Sequence, residues 1–254
     1  MSRVQVITAE QAAALIPNDS IVVISSSSGL HCPDAVLKAI GEHFAETGEP
    51  KNITTLHPIA SGDVYGIAGV DHLAQKGLLK RTIAGSYPSG PSSMPPPKIW
   101  QMINNNEIEA YNFPSGTLFH MLREAAAKRP GVLTQVGSDT FIDPRRNGGR
   151  MNSVTPPDIV RIVEFDGEEW LYFKAIQPNI AIIRGTTADE FGNISMEHEG
   201  AFLGAYDCAL AAHNNRGVVI AQVKRLTTAG AQHPQMVRVP GILVDYIVVA
   251  LDQM

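Results

Sequence analysis

Short unbroken apolar runs recur along the chain, each followed by small or turn-forming residues and then by an amphipathic stretch. The first run is Ile21-Val22-Val23-Ile24. It is preceded by the turn signal Pro17-Asn18-Asp19 and followed by Ser25-Ser26-Ser27-Ser28-Gly29-Leu30-His31-Cys32-Pro33-Asp34. A run apolar at every position is the mark of a strand covered on both faces, as in a parallel sheet. The spacing then predicts a helix over 33–46, with Pro33 at its start and Gly48 just past its end, and a second strand over 52–56. Strand, helix and strand with a short return form a parallel crossover unit.

The rhythm continues. Thr8 caps a short helix ahead of the first strand. Further strands are expected at 81–84, 108–112, 179–184, 217–223 and 246–249, with helices over 98–104, 116–128 and 201–212. Five prolines between Pro88 and Pro97 make a stiff irregular loop, and residues 134–157 read as loop. Residues 159–176 alternate on both sides of Asp166-Gly167, a hairpin signal, so Asp166, Glu168 and Glu169 read as a solvated turn rather than a site. The expected class is α/β, a mostly parallel sheet flanked by helices with a small antiparallel flap, in one domain over 1–254.

Composition narrows the partners. The 254 residues carry a formal charge of −5 and no basic block, which argues against nucleic acid. No signal sequence or membrane-length apolar run is present, so the chain reads as cytoplasmic with no membrane partner. Cys32 and Cys208 have no metal-type spacing and read as small buried hydrophobes; no metal is expected.

Candidate chemistry sits where strands end. The serine loop reads in two ways: as amides and hydroxyls from Ser26 to Gly29 that bind a carboxylate or thioester oxygen, or as caps for the following helix. Phe113-Pro114-Ser115-Gly116-Thr117 occupies the same kind of place. His57 and His120 are possible general bases, but no acidic partner stands at an informative spacing, and structural roles fit them better.

The segments 129–149, 165–176, 183–197 (IRGTTADEFGNISME) and 239–250 (VPGILVDYIVVA) resemble the family I CoA-transferases. The nearest branch is that of the propionate and short-chain acyl-CoA:acetate/3-oxoacid CoA-transferases. The resemblance implies one of two related α/β halves, here the first or α-type half, and the final residues 251–254 fall about where that half is expected to end. It further implies coenzyme A as the substrate thioester, an acyl-CoA and a carboxylic acid as reactants, and a β subunit as partner, in a heterotetramer. The nucleophilic glutamate of the family belongs to the second half, where it forms an acyl anhydride and then a glutamyl-CoA thioester. No catalytic residue is therefore expected in this chain.

By the same resemblance the first half supplies one wall of the site. The family loop reads roughly Gly-Gly-Phe-x-Gly-x-Gly-x-Pro. Aligned on Pro33, its first three residues become Ser25, Ser26 and Ser27, Ser28 takes a variable position, Gly29 matches a glycine, and His31 replaces the last one. A second signature, Pro-Gln-Gly, becomes Pro114-Ser115-Gly116. The expected loop residues are thus Ser26, Ser27, Ser28, Gly29 and His31, with Ser115 and Gly116 near the substrate. These departures keep two other roles open: hydrolysis or carbon–carbon cleavage of a CoA ester on the same scaffold, and a non-catalytic binding or assembly module.

Overall fold

The computed structural model describes residues 3–63, 65–91 and 93–253. In chain order the elements begin β1 (Gln5–Ile7), α1 (Ala9–Ala14), β2 (Ile21–Ile24), α2 (Asp34–Thr47), β3 (Ile53–His57) and β4 (Leu79–Ala84). They continue with α3 (Lys98–Asn104), β5 (Glu109–Asn112), α4 (Ser115–Ala126), β6 (Gly131–Thr134), β7 (Val160–Phe165) and β8 (Glu168–Lys174). The last are β9 (Ile180–Asp189), β10 (Ile194–Ser195), α5 (Ala205–Asn214), β11 (Val218–Thr227), β12 (Val237–Val239) and β13 (Tyr246–Val249).

The main sheet runs β1-β13-β11-β9-β2-β3-β4-β5 with every neighbouring pair parallel. Strand β10 adds antiparallel pairing with β9 and β12. The expected flap is a separate antiparallel sheet, β6-β8-β7. Its β7–β8 turn places Asp166 and Gly167 at φ 53° and 78°, the pair of left-handed residues that a two-residue hairpin requires.

Side-chain alternation explains the two-sided burial. Val22 and Ile24 enter the core beneath α1, α2 and α3, whereas Val23 enters the core beneath α4 and α5. Strand β9 repeats this, with Ile180 and Ile182 on the first face and Ala181 and Ile183 on the second. Thr8 caps α1 in a reciprocal box with Gln11, and Gly48 ends α2 at φ 77°.

Three expected bounds are corrected. Helix α5 begins at Ala205 rather than 201, because Leu203 (φ 41°) and Gly204 (φ 72°) are left-handed and cannot belong to it. Strands β9 and β11 run on to Asp189 and Thr227, since each supplies the other's ladder partners to that point. The edge strand β1, the short β6 and the β10–β12 pair were not expected. Each is too short for its own pattern and is held by a partner distant in sequence.

Strand order reverses between β2 and β9. From β2 the chain steps outward through β3, β4 and β5, and from β9 it steps the other way through β11 and β13. A crevice at the carboxyl ends of the strands is expected at such a switch point, and the serine loop leaves β2 there. Among the described residues no helix is long and apolar enough to cross a membrane.

Candidate active site

A cleft of about 640 Å³ opens at this switch point. Its walls come from Ser28 to His31 after β2, from Ala60 to Asp63 after β3, from Ser86 to Ser89 after β4, from Arg184 in β9 and from His198 to Gly200 after β10.

The serine loop is a tight turn. Ser27 and Leu30 exchange backbone hydrogen bonds of 2.9 Å, with Ser28 between them at φ 53°. The Ser28 amide donates to the Ala60 carbonyl at 2.7 Å, which ties the turn to the β3 loop. The amides of Ser27, Ser28 and Leu30 therefore already have acceptors. Among the described residues those of Gly29 and His31 have none, and both residues line the cleft.

The hydroxyls divide likewise. Ser25 is fully buried and its Oγ has no partner among the described residues, while buried Ser26 Oγ lies 3.3 Å from the Ala60 carbonyl it donates to. Ser28 is exposed and faces the cleft. Ser26 and Ser27 are not among the lining residues, nor are Ser115 and Gly116. Ser115 Oγ packs against Gly85 after β4, where an added Cβ would come within 2.3 Å of it, while Gly116 is exposed at the start of α4. The chain thus assembles Ser28, Gly29 and His31 in one cleft and leaves the other four predicted residues around it.

His31 adopts φ 58° with a wholly buried ring. A left-handed backbone at the position where the family loop has glycine explains why glycine suits it, and why a histidine there needs outside support. That support comes from a buried carboxylate and a buried arginine, although neither ring nitrogen makes a hydrogen bond among the described residues. Nδ1 of His31 lies 3.5 Å from Glu199 Oε2, and the Arg184 Nε donates to Glu199 Oε1 at 3.0 Å. Arg184 also donates to the Cys32 carbonyl at 3.2 Å. Burial pushes the Glu199 carboxyl up, but the contacts with His31 and Arg184 outweigh it and hold the group below the ordinary carboxylate value.

The histidines outside the cleft are structural or exposed. His57 is completely buried, with Nδ1 3.0 Å from the Ile59 carbonyl, and burial lowers its pKa to about 4. His120 lies exposed on α4. Cys32 contacts Ser61 Oγ at 3.7 Å and burial raises its thiol to about 12, so it is no nucleophile. Among the described residues no group of three or more His, Cys, Asp or Glu stands close enough to hold a metal ion.

Sequence reasoning missed Asp63, Arg184 and Glu199. An arginine at the end of the apolar run Ile180-Ala181-Ile182-Ile183 was the one visible signal, because a charge in a doubly covered strand must find a partner.

A small-residue loop with two amides that lack acceptors among the described residues, at the switch point of a parallel α/β sheet, is an arrangement that can take an anionic or carbonyl oxygen. The chain belongs to the coenzyme A transferase family, whose model matches residues 6–250. It is 39% identical over 252 residues to the acetate CoA-transferase YdiF of Escherichia coli K12, covering 99% of this chain and 46% of that protein. The structure of YdiF from E. coli O157:H7 as a thioester complex with CoA superposes with a TM-score of 0.91 at 38% identity, over 99% of this chain and 48% of that one. The α subunit of the acetoacetyl-CoA:acetate/butyrate CoA transferase of Clostridium acetobutylicum is 26% identical over 197 residues, covering 78% of this chain and 79% of that subunit. The chain therefore spans about half the length of YdiF and most of the length of an α subunit.

Proposed function

We propose that this chain is the α-type half of a cytoplasmic CoA-transferase that moves CoA between an acyl-CoA and a carboxylic acid. The nucleophilic glutamate comes from a β-type partner in a heterotetramer, with residues 1–254 acting as one α-type domain. The observation that carries the reading is the pair of acceptor-free amides at Gly29 and His31 beside the cleft.

In this scheme the partner's carboxylate adds to the thioester carbonyl. The carbonyl oxygen becomes an oxyanion, and the Gly29 and His31 N–H groups donate to it. Expulsion of the CoA thiolate leaves an acyl anhydride. The thiolate then attacks the glutamyl carbonyl of that anhydride, which releases the acyl group as a carboxylate and leaves a glutamyl thioester. A second acid reverses the sequence and leaves with CoA. One preorganised donor is typically worth ~2.7–4 kcal/mol to such a transition state.

The rim supports a covering partner. Leu30 and Tyr65 beside the cleft are 60% and 76% exposed, apolar surface that a covering partner would bury. The deciding experiment is the native mass of the complex purified from its source, with every chain identified by peptide sequencing. A second chain carrying a family-like glutamate, and CoA exchange only when both are present, is expected. Exchange by this chain alone would refute the reading.

Hydrolysis is the second reading, favoured by the serines at Ser25, Ser26 and Ser115 where the resembled family carries glycines and a glutamine. Free CoA released without acyl transfer to an added acid would replace the first reading by this one.

A further inference from the structure

Asp63 lines the cleft but takes no part in the CoA-exchange scheme above. Its Oδ1 accepts the amides of Tyr65 at 2.7 Å and Ile67 at 3.1 Å, and its own amide donates to the Ile67 carbonyl at 2.6 Å. These bonds fix the plane of the carboxylate. The second oxygen, Oδ2, has no donor among the described residues, and Asp63 forms no ion pair among them. Oδ2 points at Gly29, where an added Cβ would lie 2.3 Å away. A held carboxylate oxygen thus stands directly against the residue whose amide is free to take the acyl oxygen.

Among the described residues no cation pairs with it. Arg184 in the same cleft is engaged by Glu199 and the Cys32 carbonyl. Ser28, Ser86, Ser89 and His198 add polar groups to walls that Leu30, Tyr65 and Ile67 leave partly apolar. An alkyl chain seated on the Gly29 amide would displace water from Oδ2 and return no donor to it. A site built to hydrogen-bond one substrate group rejects the analogue that lacks it.

We propose that Asp63 is a specificity-determining residue that accepts a hydrogen bond from a hydroxyl or ammonium group on the substrate's acyl chain. The placement of the acyl group rests on the transferase reading above; the unsatisfied carboxylate oxygen does not.

The test uses the complete enzyme, this chain with its second half, and four acids: butyrate, 3-hydroxybutyrate, 3-aminobutyrate and acetoacetate. The kcat/KM of CoA transfer to each is measured, together with calorimetric binding of the four CoA esters. The hydroxy or the amino acid is expected to exceed butyrate on the order of 10-fold to 100-fold, the usual worth of a hydrogen bond to a charged group. Whichever of the two leads identifies the donor. Asp63→Asn retains an acceptor for the Tyr65 and Ile67 amides but presents N–H where Oδ2 stands, so the preference should move to acetoacetate. Butyrate used as well as the donor-bearing acids, or an Asp63→Asn variant that lowers all four alike, overturns the proposal. If no CoA is transferred yet the calorimetric order holds and depends on Asp63, the transferase reading falls and this one stands. If neither transfer nor that order is seen, both fall.

Discussion

The Nδ1 atom of His31 stands 3.5 Å from Oε2 of Glu199, with both side chains inside the protein at 0% and 2% exposure. One residue belongs to the loop after β2 and the other to the segment after β10, so the contact joins chain positions that share no local structure. Arg184, in β9 between them, binds the same carboxylate at 3.0 Å. The three side chains hold a left-handed histidine at the floor of the cleft, and with it the orientation of the His31 amide.

Breaking this group from its centre should be costly. Glu199→Ala leaves the Arg184 charge with less compensation and removes the contact to His31. The expected loss is roughly 3–5 kcal/mol of unfolding free energy, the range for removing one partner of a buried ion pair. Urea denaturation at pH 7.5 measures it, and a loss below about 1 kcal/mol would show that the pair is not closed in solution.

Ser25 should behave in the opposite way. Its hydroxyl is buried without a partner among the described residues, so Ser25→Ala removes an unsatisfied polar atom while keeping the backbone. Stability should hold or rise, by up to about 1 kcal/mol. A marked destabilisation in the same denaturation assay would mean that the hydroxyl has a partner in solution.

Gly29 has no room for a side chain. A Cβ there would come within 2.3 Å of Asp63 Oδ2 and 3.2 Å of Ile67 Cδ1. Gly29→Ala should push the Asp63 loop aside and lower CoA exchange by the assembled enzyme ~10-fold or more, with the ~100- to 1000-fold loss of a whole oxyanion donor as the upper bound. Adding Asp63→Gly removes the nearest clash and should recover part of that loss. Equal activity for both variants would count against a close approach of the two loops.

Acid sensitivity follows from His57. Burial lowers its pKa from 6.5 to about 4, so between those values the unfolded chain binds a proton that the folded chain does not. Stability from this group is complete above pH 6.5 and falls as the pH drops towards 4, by about 2 kcal/mol between pH 7.5 and 5. The carboxyls of Glu197 and Glu199, both held below their ordinary values, add a loss in the same direction at lower pH. In His57→Gln the pH 7.5 to 5 difference in urea midpoint should shrink; an unchanged difference would assign the sensitivity elsewhere.

The fold was legible because its signals are local. Four apolar residues from Ile21 to Ile24, all needing cover on both faces, specify a doubly packed strand without reference to the rest of the chain. Gly48 and Asp166-Gly167 mark their turns because few other residues tolerate a positive φ cheaply. The resemblance in 183–197 and 239–250 located the family for the same reason, as continuous stretches of sequence.

What the tertiary structure alone decided is which of those residues meet. Of seven predicted site residues it brings Ser28, Gly29 and His31 to the cleft, and it adds Asp63, Arg184 and Glu199 from three other segments. No spacing along the chain encodes that set, because a parallel sheet gathers the ends of strands that lie far apart in sequence. The sequence by itself determined the helices, the strands with a pattern of their own, and the loop between β2 and α2, but not β1, β6, β10 or β12. The order of strands, reversing between β2 and β9, determined what that loop faces.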